Sequence, residues 1–180
     1  MALTHDARFF RGFLAHPLAV GAVAPSSPDL AAAIAEEMPP RGRVLELGAG
    51  TGAVTEALLA RGLTTTAIEY DPGFAAHLRT RYPSSEVLQG DAFTFDRLIA
   101  HGARFDGIVS GLPVVGRSTA QRASLLRLAL SHLEPGAPFV QFSYAPWPPY
   151  PRLAHVSVSH APTFWRNIPP MHIWVHRALH

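Results

Sequence analysis

The spacing of apolar residues changes along the chain and predicts alternating strands and helices. From Val44 onward, short apolar runs alternate with stretches in which apolar residues recur every three or four positions. Strands that alternate with helices of this length predict an α/β protein with a parallel sheet and right-handed crossovers. The predicted strands are 43–48, 64–70, 86–89, 105–110 and 137–144, and the predicted helices are 52–61, 72–81, 94–101 and 118–133.

The C-terminal stretch departs from this alternation. After Tyr144 the chain reads A-P-W-P-P-Y-P, which is too rich in proline for a regular element. Two stretches with period-two alternation follow at 155–160 and 172–177, and N-I-P-P turns the chain between them. We therefore expect an antiparallel hairpin at the edge of the sheet.

The first 40 residues precede the sheet and predict two helices. A second helix should begin after Ser27 as N-cap, with Pro28 at its first position. We expect segment 1–40 to act as a helical lid or a membrane-interface helix, in a single domain whose α/β part is 41–180. The first helix has an apolar face formed by Phe9, Phe10, Phe13 and Leu14. Arg8 and Arg11 flank this face.

Composition limits the alternatives without choosing among them. The 180 residues suit one domain, and no apolar run approaches the length of a membrane span. The absence of cysteine excludes disulfides and thiol chemistry, and no His or acidic pattern indicates a metal. All 15 basic residues are arginines, and the net charge of +2 is compatible with an anionic membrane or nucleic acid but indicates neither. Because no secretory signal is evident, we expect a cytoplasmic protein.

A glycine-rich stretch follows the first predicted strand. Residues 43–52 read R-V-L-E-L-G-A-G-T-G, which brings Gly48, Gly50 and Gly52 between a buried strand and a helix. A turn without side chains lets a ligand approach main-chain amides and the N-terminus of the helix. The same stretch also fits the permissive dinucleotide pattern G-x-G-x-x-A, so the loop alone leaves the ligand open.

Three acidic residues favour one ligand over the other. Glu46, two residues before the loop, would repel a pyrophosphate but attract the ammonium and sulfonium groups of S-adenosylmethionine. Glu69 ends the second strand and can accept both ribose hydroxyls, which suits either ligand. Asp91 ends the third strand and can accept a hydrogen bond from an adenine amino group. We predict S-adenosylmethionine; the alternative is that Glu69 and Asp91 only cap helices.

The stretches E-L-G-A-G-T-G, I-E-Y-D and G-D-A-F resemble the three cofactor motifs of class I S-adenosylmethionine-dependent methyltransferases, over about residues 40–145. The resemblance implies a Rossmann-like α/β fold with a seven-stranded sheet of order 3-2-1-4-5-7-6 and an antiparallel last strand. It also implies S-adenosyl-L-homocysteine as product. The predicted cofactor residues are Glu46, Gly48, Gly50, Gly52, Glu69, Tyr70, Asp91, Ala92, Ser110, Ser26 and Ser27.

The acceptor is indicated by stretches outside these motifs. S-G-L-P at 110–113 lacks the ring that an rRNA adenine N6-methyltransferase would stack on its base, although that enzyme class remains the alternative. S-G-L-P, A-P-S-S, F-V-Q-F-S-Y and W-R-N-I-P-P together resemble the small bacterial phospholipid N-methyltransferases, from about Phe9 to His176. The resemblance implies stepwise methylation of phosphatidylethanolamine and its mono- and dimethyl forms towards phosphatidylcholine, on the inner face of the cytoplasmic membrane. A non-catalytic adenosyl-binding protein or an oxidoreductase is the third class.

Candidate roles follow for the remaining side chains. Tyr144 could accept a hydrogen bond from the acceptor amine and attract the growing cation, and Ser110 could hold the same amine. Arg166 could pair with the lipid phosphate. Ser26 and Ser27 could offer hydroxyls to the cofactor carboxylate, or simply cap the helix. We expect a monomer that binds an anionic membrane surface through its first helix, with no nucleic-acid or metal partner.

Overall fold

A computed structural model describes residues 27–165 and 170–179, and these form one α/β unit around a seven-stranded sheet. The order of strands across the sheet is β3-β2-β1-β4-β5-β7-β6. The strands are β1 Arg43–Leu47, β2 Thr64–Glu69, β3 Glu86–Gln89, β4 Gly107–Ser110, β5 Phe139–Ser143, β6 Val156–His160 and β7 His172–Ala178.

Strand direction agrees with the order predicted from the family resemblance. The pairs β1–β2, β1–β4, β2–β3 and β4–β5 are parallel, whereas β7 is antiparallel to both β5 and β6. The predicted sheet order, the antiparallel last strand and the edge hairpin are therefore confirmed. The helices are α1 Pro28–Glu36, α2 Ala53–Ala60, α3 Pro72–Arg81 and α4 Thr119–Ser131, with 3₁₀ helices η1 Ala92–Arg97 and η2 Val114–Gly116.

The core lies on both faces of the sheet because neighbouring residues of a strand point to opposite sides. On β4, Val109 packs into the cluster that includes Leu30 and Ile34 of α1, whereas Ile108 packs with Phe95 of η1 and Leu126 of α4. Helix α1 thus shares a core with the sheet that follows it. Within the described ranges, no helix is long and apolar enough to cross a membrane.

Most element boundaries match the prediction, and one element differs in type. Ser27 accepts a hydrogen bond from the Leu30 amide at 3.3 Å, which confirms the predicted N-cap of α1. The helix predicted at 94–101 is wrong: the chain forms a 3₁₀ helix at 92–97, interrupted at Thr94, whose φ of −129° is not helical. The predicted first helix and the turn at 167–169 lie outside the described residues.

Candidate functional site

The candidate site lies at the edge of the sheet where the parallel strands end. Since β1 to β5 run in the same direction, the loops after them meet at their carboxyl ends, where open α/β sheets bind ligands. The predicted site residues within the described ranges fall on these loops and strand ends, except Ser27. They are Glu46, Gly48, Gly50, Gly52, Glu69, Tyr70, Asp91, Ala92, Ser110 and Tyr144.

The three glycines of the first loop all have positive φ, but they are required for different reasons. A Cβ atom on Gly52 would lie 2.5 Å from the Tyr82 ring, and one on Gly48 would lie 2.9 Å from Leu112 Cδ2. A Cβ atom on Gly50, at φ +55°, would meet nothing within 4 Å. Packing therefore explains why Gly48 and Gly52 carry no side chain, whereas Gly50 borders open space.

Glu69 joins the end of β2 to the glycine loop. Its Oε2 accepts a hydrogen bond from the Gly50 amide at 2.7 Å, and its Oε1 accepts one from the Asp71 amide at 2.8 Å. Burial raises the pKa of the carboxyl, although these amide hydrogen bonds oppose the rise. A carboxylate has about four lone-pair sites, so both bonds leave capacity for the ribose hydroxyls of the predicted cofactor.

Glu46 is a buried acid inside β1. The Thr55 hydroxyl of α2 donates a hydrogen bond to its Oε2 at 2.5 Å. Burial raises the pKa of Glu46 to about 8, and the nearby charge of Glu69 also raises it. A carboxyl with this pKa can lose its proton when a cation binds beside it, and the ammonium group of S-adenosylmethionine is such a cation. The sequence analysis did not identify Thr55.

Asp91 caps the 3₁₀ helix that follows β3, and its Oδ1 accepts a hydrogen bond from the Phe93 amide at 2.9 Å. This is the capping role that the sequence analysis gave as the alternative. Capping uses one oxygen of an exposed carboxylate, so it is compatible with the predicted adenine contact. Next to these acids, Ala92 is buried and Tyr70 is exposed.

An open cleft of about 430 Å³ lies beside the glycine loop on the side of α3. Neither Glu69 nor Asp91 lines this cleft, which adjoins the glycine loop at Thr51. Its lining residues are Thr51, Asp71, Gly73, Phe74 and His77.

Ser110 lies in a buried polar network that the sequence analysis missed. Its hydroxyl hydrogen-bonds with Tyr150, whose own hydroxyl donates to Gln141 Oε1 at 3.0 Å. The Gln141 amide nitrogen in turn donates to the Leu112 carbonyl at 3.2 Å. This network fixes the loop after β4. Contact between Ser110 and an acceptor amine stays a prediction, and it requires the network to open. The available signal was a glutamine inside the apolar strand F-V-Q-F-S.

Tyr144 directly follows β5 and is half-buried, as expected for a side chain at the rim of the site. The residue before it, Ser143, pairs across the sheet with His172 of β7. His172 Nδ1 lies 3.1 Å from His160 Nε2, and the His160 ring packs on Trp174 at 4.4 Å between ring centroids. Partial burial and the neighbouring His160 lower the pKa of His172, so its imidazole is neutral near pH 7.

Not every predicted residue is described at this edge of the sheet. Arg166, Ser26 and the first-helix residues lie outside the described residues. Ser27 is described as the N-cap of α1, and its contact with a cofactor carboxylate stays a prediction.

Comparison with known proteins shows which family the chain resembles. A family described as a methyltransferase domain matches residues 44–136. One relative is the ornithine lipid N-methyltransferase of Singulisphaera acidiphila, which is 32% identical over 149 residues, covering 77% of this chain and 78% of that protein.

Two further similarities cover less or are more distant. A probable ribosomal RNA small subunit methyltransferase A of Haloarcula marismortui is 46% identical over 59 residues, only 29% of this chain and 21% of that protein. The crystal structure of TrmN from Thermus thermophilus superposes with a TM-score of 0.70 at 21% identity, covering 84% of this chain and 49% of that chain. This last similarity concerns the fold alone.

Proposed function

The chain belongs to the methyltransferase domain family, and we propose that it methylates the amino head group of a membrane lipid. Its methyl donor is S-adenosyl-L-methionine, the donor of class I members of this family, and S-adenosyl-L-homocysteine is the product. The proposed acceptors are phosphatidylethanolamine and its mono- and dimethyl forms, which lead to phosphatidylcholine. The observation that carries the proposal is the 32% identity to a lipid N-methyltransferase over 77% of this chain.

The residues at the strand ends fit the donor. When bound, S-adenosylmethionine supplies a methyl group on a positively charged sulfur. The open space beside Gly50 would take the ligand against the main chain, and Glu69, which already accepts from the Gly50 amide, would also accept from the ribose hydroxyls. Asp91 would accept from the adenine amino group through the oxygen that does not cap η1, and the buried Glu46 would pair with the ammonium group.

The acceptor side must provide a neutral amine, because an ammonium has no lone pair for the displacement. The Tyr144 hydroxyl accepts a hydrogen bond from the amine and orients it, and its ring attracts the ammonium that forms on methylation. The incoming ammonium must lose a proton first, and a nearby base or a path to water would accept it. In this proposal Arg166 binds the lipid phosphate, and Ser110 holds the loop that borders the amine.

An rRNA adenine N6-methyltransferase is the second candidate. The 46% identity to the Haloarcula protein favours it, but that similarity spans 59 residues. The S-G-L-P stretch at 110–113 also contains no aromatic ring to stack on an extruded base.

A lipid acceptor requires the protein to reach a membrane. We propose that it works at the inner face of the cytoplasmic membrane as a monomer. The first predicted helix supplies apolar and basic side chains for this contact, namely Phe9, Phe10, Phe13, Leu14, Arg8 and Arg11.

A methyl-transfer assay with a labelled methyl group tests the proposal. Purified protein is offered phosphatidylethanolamine, ornithine lipid or ribosomal RNA in separate reactions. We expect label in phosphatidylethanolamine, and a loss of about a hundredfold in kcat for Tyr144→Phe with cofactor affinity retained. Label in ornithine lipid alone would show that the acceptor head group is not that of phosphatidylethanolamine. Label in RNA alone would contradict the proposal.

A further inference from the structure

Large apolar side chains that remain exposed are concentrated at the edge of the sheet that carries the site. Six such residues are exposed within the described ranges, and four of them lie on loops after the carboxyl ends of β2, β4, β5 and β6. The strand β6 belongs to this group because it runs parallel to β5. The four are Tyr70, Val115, Trp147 and Trp165, whereas Val158 lies in β6 and Leu179 lies near the C-terminus.

This edge divides into two halves of different chemistry. The loops after β2 and β3 carry Asp71 and Asp91, beside the predicted adenosine position. The loops after β4, β5 and β6 contain no acidic residue. They carry the tryptophan rim, which we define as Val115, Arg117, Trp147 and Trp165. The exposed fractions of Val115, Trp147 and Trp165 are 48%, 58% and 74%.

Acidic residues are also scarce in the whole C-terminal part of the chain, which carries the tryptophan rim. Residues 107–180 contain six arginines and one acidic residue, Glu134, whereas residues 1–106 contain nine arginines and twelve acidic residues. The formal charges of the two parts are therefore +5 and −3. Glu134 precedes β5, so it lies towards the opposite edge of the sheet. The half of the site edge that bears the exposed tryptophans is thus free of negative side chains in its loops.

Trp147 is exposed on a loop that is fixed on both sides. The Ala145 carbonyl accepts a hydrogen bond from Trp174 Nε1 at 3.4 Å, and the Arg122 guanidinium donates to the Pro149 carbonyl. Tyr150 is buried and hydrogen-bonds to Gln141. Pro148 follows Trp147 and disfavours helical backbone conformations at the tryptophan. The loop therefore presents the indole to solvent, an arrangement typical of an interaction site.

We propose that the tryptophan rim docks on the surface of an anionic lipid bilayer and turns the mouth of the site towards it. Indole rings partition to the level of lipid head groups, where their apolar body and polar N–H are both accommodated. Arg117, whose guanidinium lies 4.7 Å from the Phe93 ring centroid, adds a positive charge that attracts anionic head groups. This inference rests on the proposed function, because a lipid acceptor must pass from the bilayer into the half of the site beside β4 and β5.

Vesicle sedimentation of the full chain tests the rim. The vesicles contain phosphatidylethanolamine and phosphatidylglycerol, and the test variant is Trp147→Ala/Trp165→Ala. The matched control is Val158→Ala/Leu179→Ala, which removes exposed apolar side chains away from the rim. We expect the tryptophan variant to bind about tenfold more weakly or worse, because it loses two large apolar surfaces, and the control to bind like the unchanged protein. Equal binding by both variants would overturn the proposal.

A second measurement separates this proposal from the proposed function. Methyl transfer is followed with a short-chain phosphatidylethanolamine that is dispersed as monomers, so no docking is required. We expect the tryptophan variant to retain its rate there and to lose it on vesicles. If the unchanged protein methylates neither form, the proposed function fails. The vesicle-binding result still tests whether the tryptophan rim docks on a bilayer. If the tryptophan variant loses binding to RNA and keeps binding to vesicles, the rim serves a nucleic acid and the proposal is wrong.

Discussion

Gly50 differs from the other glycines of its loop in what an added side chain would meet. A Cβ atom on Gly48 would clash with Leu112, and one on Gly52 would clash with Tyr82. The space at Gly50 is open, although its amide donates a hydrogen bond to Glu69. A methyl group at this position therefore leaves the packing unchanged and occupies the space where we predict the cofactor.

We predict that Gly50→Ala lowers affinity for S-adenosylhomocysteine at least about tenfold, at a stability cost of about 1 kcal/mol for the left-handed backbone. Gly62→Ala is the matched control, because Gly62 also has a positive φ and no atom within 4 Å of an added Cβ. It should show the same stability cost and unchanged affinity. Calorimetric titration measures the affinities, and an equal affinity for both variants would show that no ligand lies against Gly50.

The buried carboxyl of Glu46 predicts a pH dependence of stability. Its pKa is about 8 in the folded chain against 4.5 in the unfolded chain, so its stabilising contribution is complete below 4.5 and is lost as the pH rises through 8. Burial also raises the pKa of Glu69, so this carboxyl changes the free energy of unfolding with pH in the same sense. Burial lowers the pKa of His176 to about 4, so this histidine is neutral in the folded chain and contributes no further change above 6.5.

The free energy of unfolding should therefore fall between pH 6.5 and pH 8, and Glu46→Gln should reduce the fall. The glutamine oxygen can still accept the Thr55 hydroxyl, so the fold is preserved. Urea denaturation at the two pH values measures the difference. An equally large fall in the variant would show that Glu46 does not titrate in this range.

Sequence spacing predicted the acids at the strand ends, but it did not predict how they are joined. The hydrogen bond from the Gly50 amide to Glu69 and the network of Ser110, Gln141 and Tyr150 link residues that are far apart in the chain. Such contacts depend on the three-dimensional arrangement of the strands, which a local pattern does not contain.

At the scale of elements, local chemistry predicted α1 correctly and the region after β3 incorrectly. Ser27 and Pro28 provide a cap and a fixed φ, and both act within one helical turn. After β3, by contrast, Asp91 bonds the Phe93 amide and the backbone at Thr94 leaves helical geometry. Phe95 is apolar because it packs in the core between the sheet and α4. The apolar spacing of this stretch therefore does not indicate an α-helix.

The N-cap of α1 provides a test at this scale. We predict that Ser27→Ala lowers the free energy of unfolding by about 1 kcal/mol and leaves cofactor affinity unchanged, because the hydroxyl bonds the Leu30 amide. Ser118→Ala is the matched control, since Ser118 also caps a helix, α4, and is not among the predicted cofactor residues. Denaturation and calorimetry measure both effects. A weaker affinity in Ser27→Ala alone would contradict this expectation and support the cofactor contact predicted from the sequence.

At the scale of the whole molecule, the two halves of the site edge match the two partners of the proposed reaction. The acidic loops after β2 and β3 suit adenosine, and the aromatic loops without acids suit a lipid surface. The fold and donor could be predicted from the chain because the donor motifs are local. The acceptor depends on loops that vary in chemistry on a common fold, and it therefore remains a proposal.

Mass spectrometry of cellular lipids tests the central claim most directly. A host that makes phosphatidylethanolamine but no phosphatidylcholine expresses either the unchanged protein or Gly50→Ala, in matched amounts. We predict mono-, di- and trimethylated phosphatidylethanolamine with the unchanged protein and a marked loss of these species with the variant. An unaltered lipid profile, from a protein that binds S-adenosylmethionine in the same extract, would contradict a phospholipid acceptor.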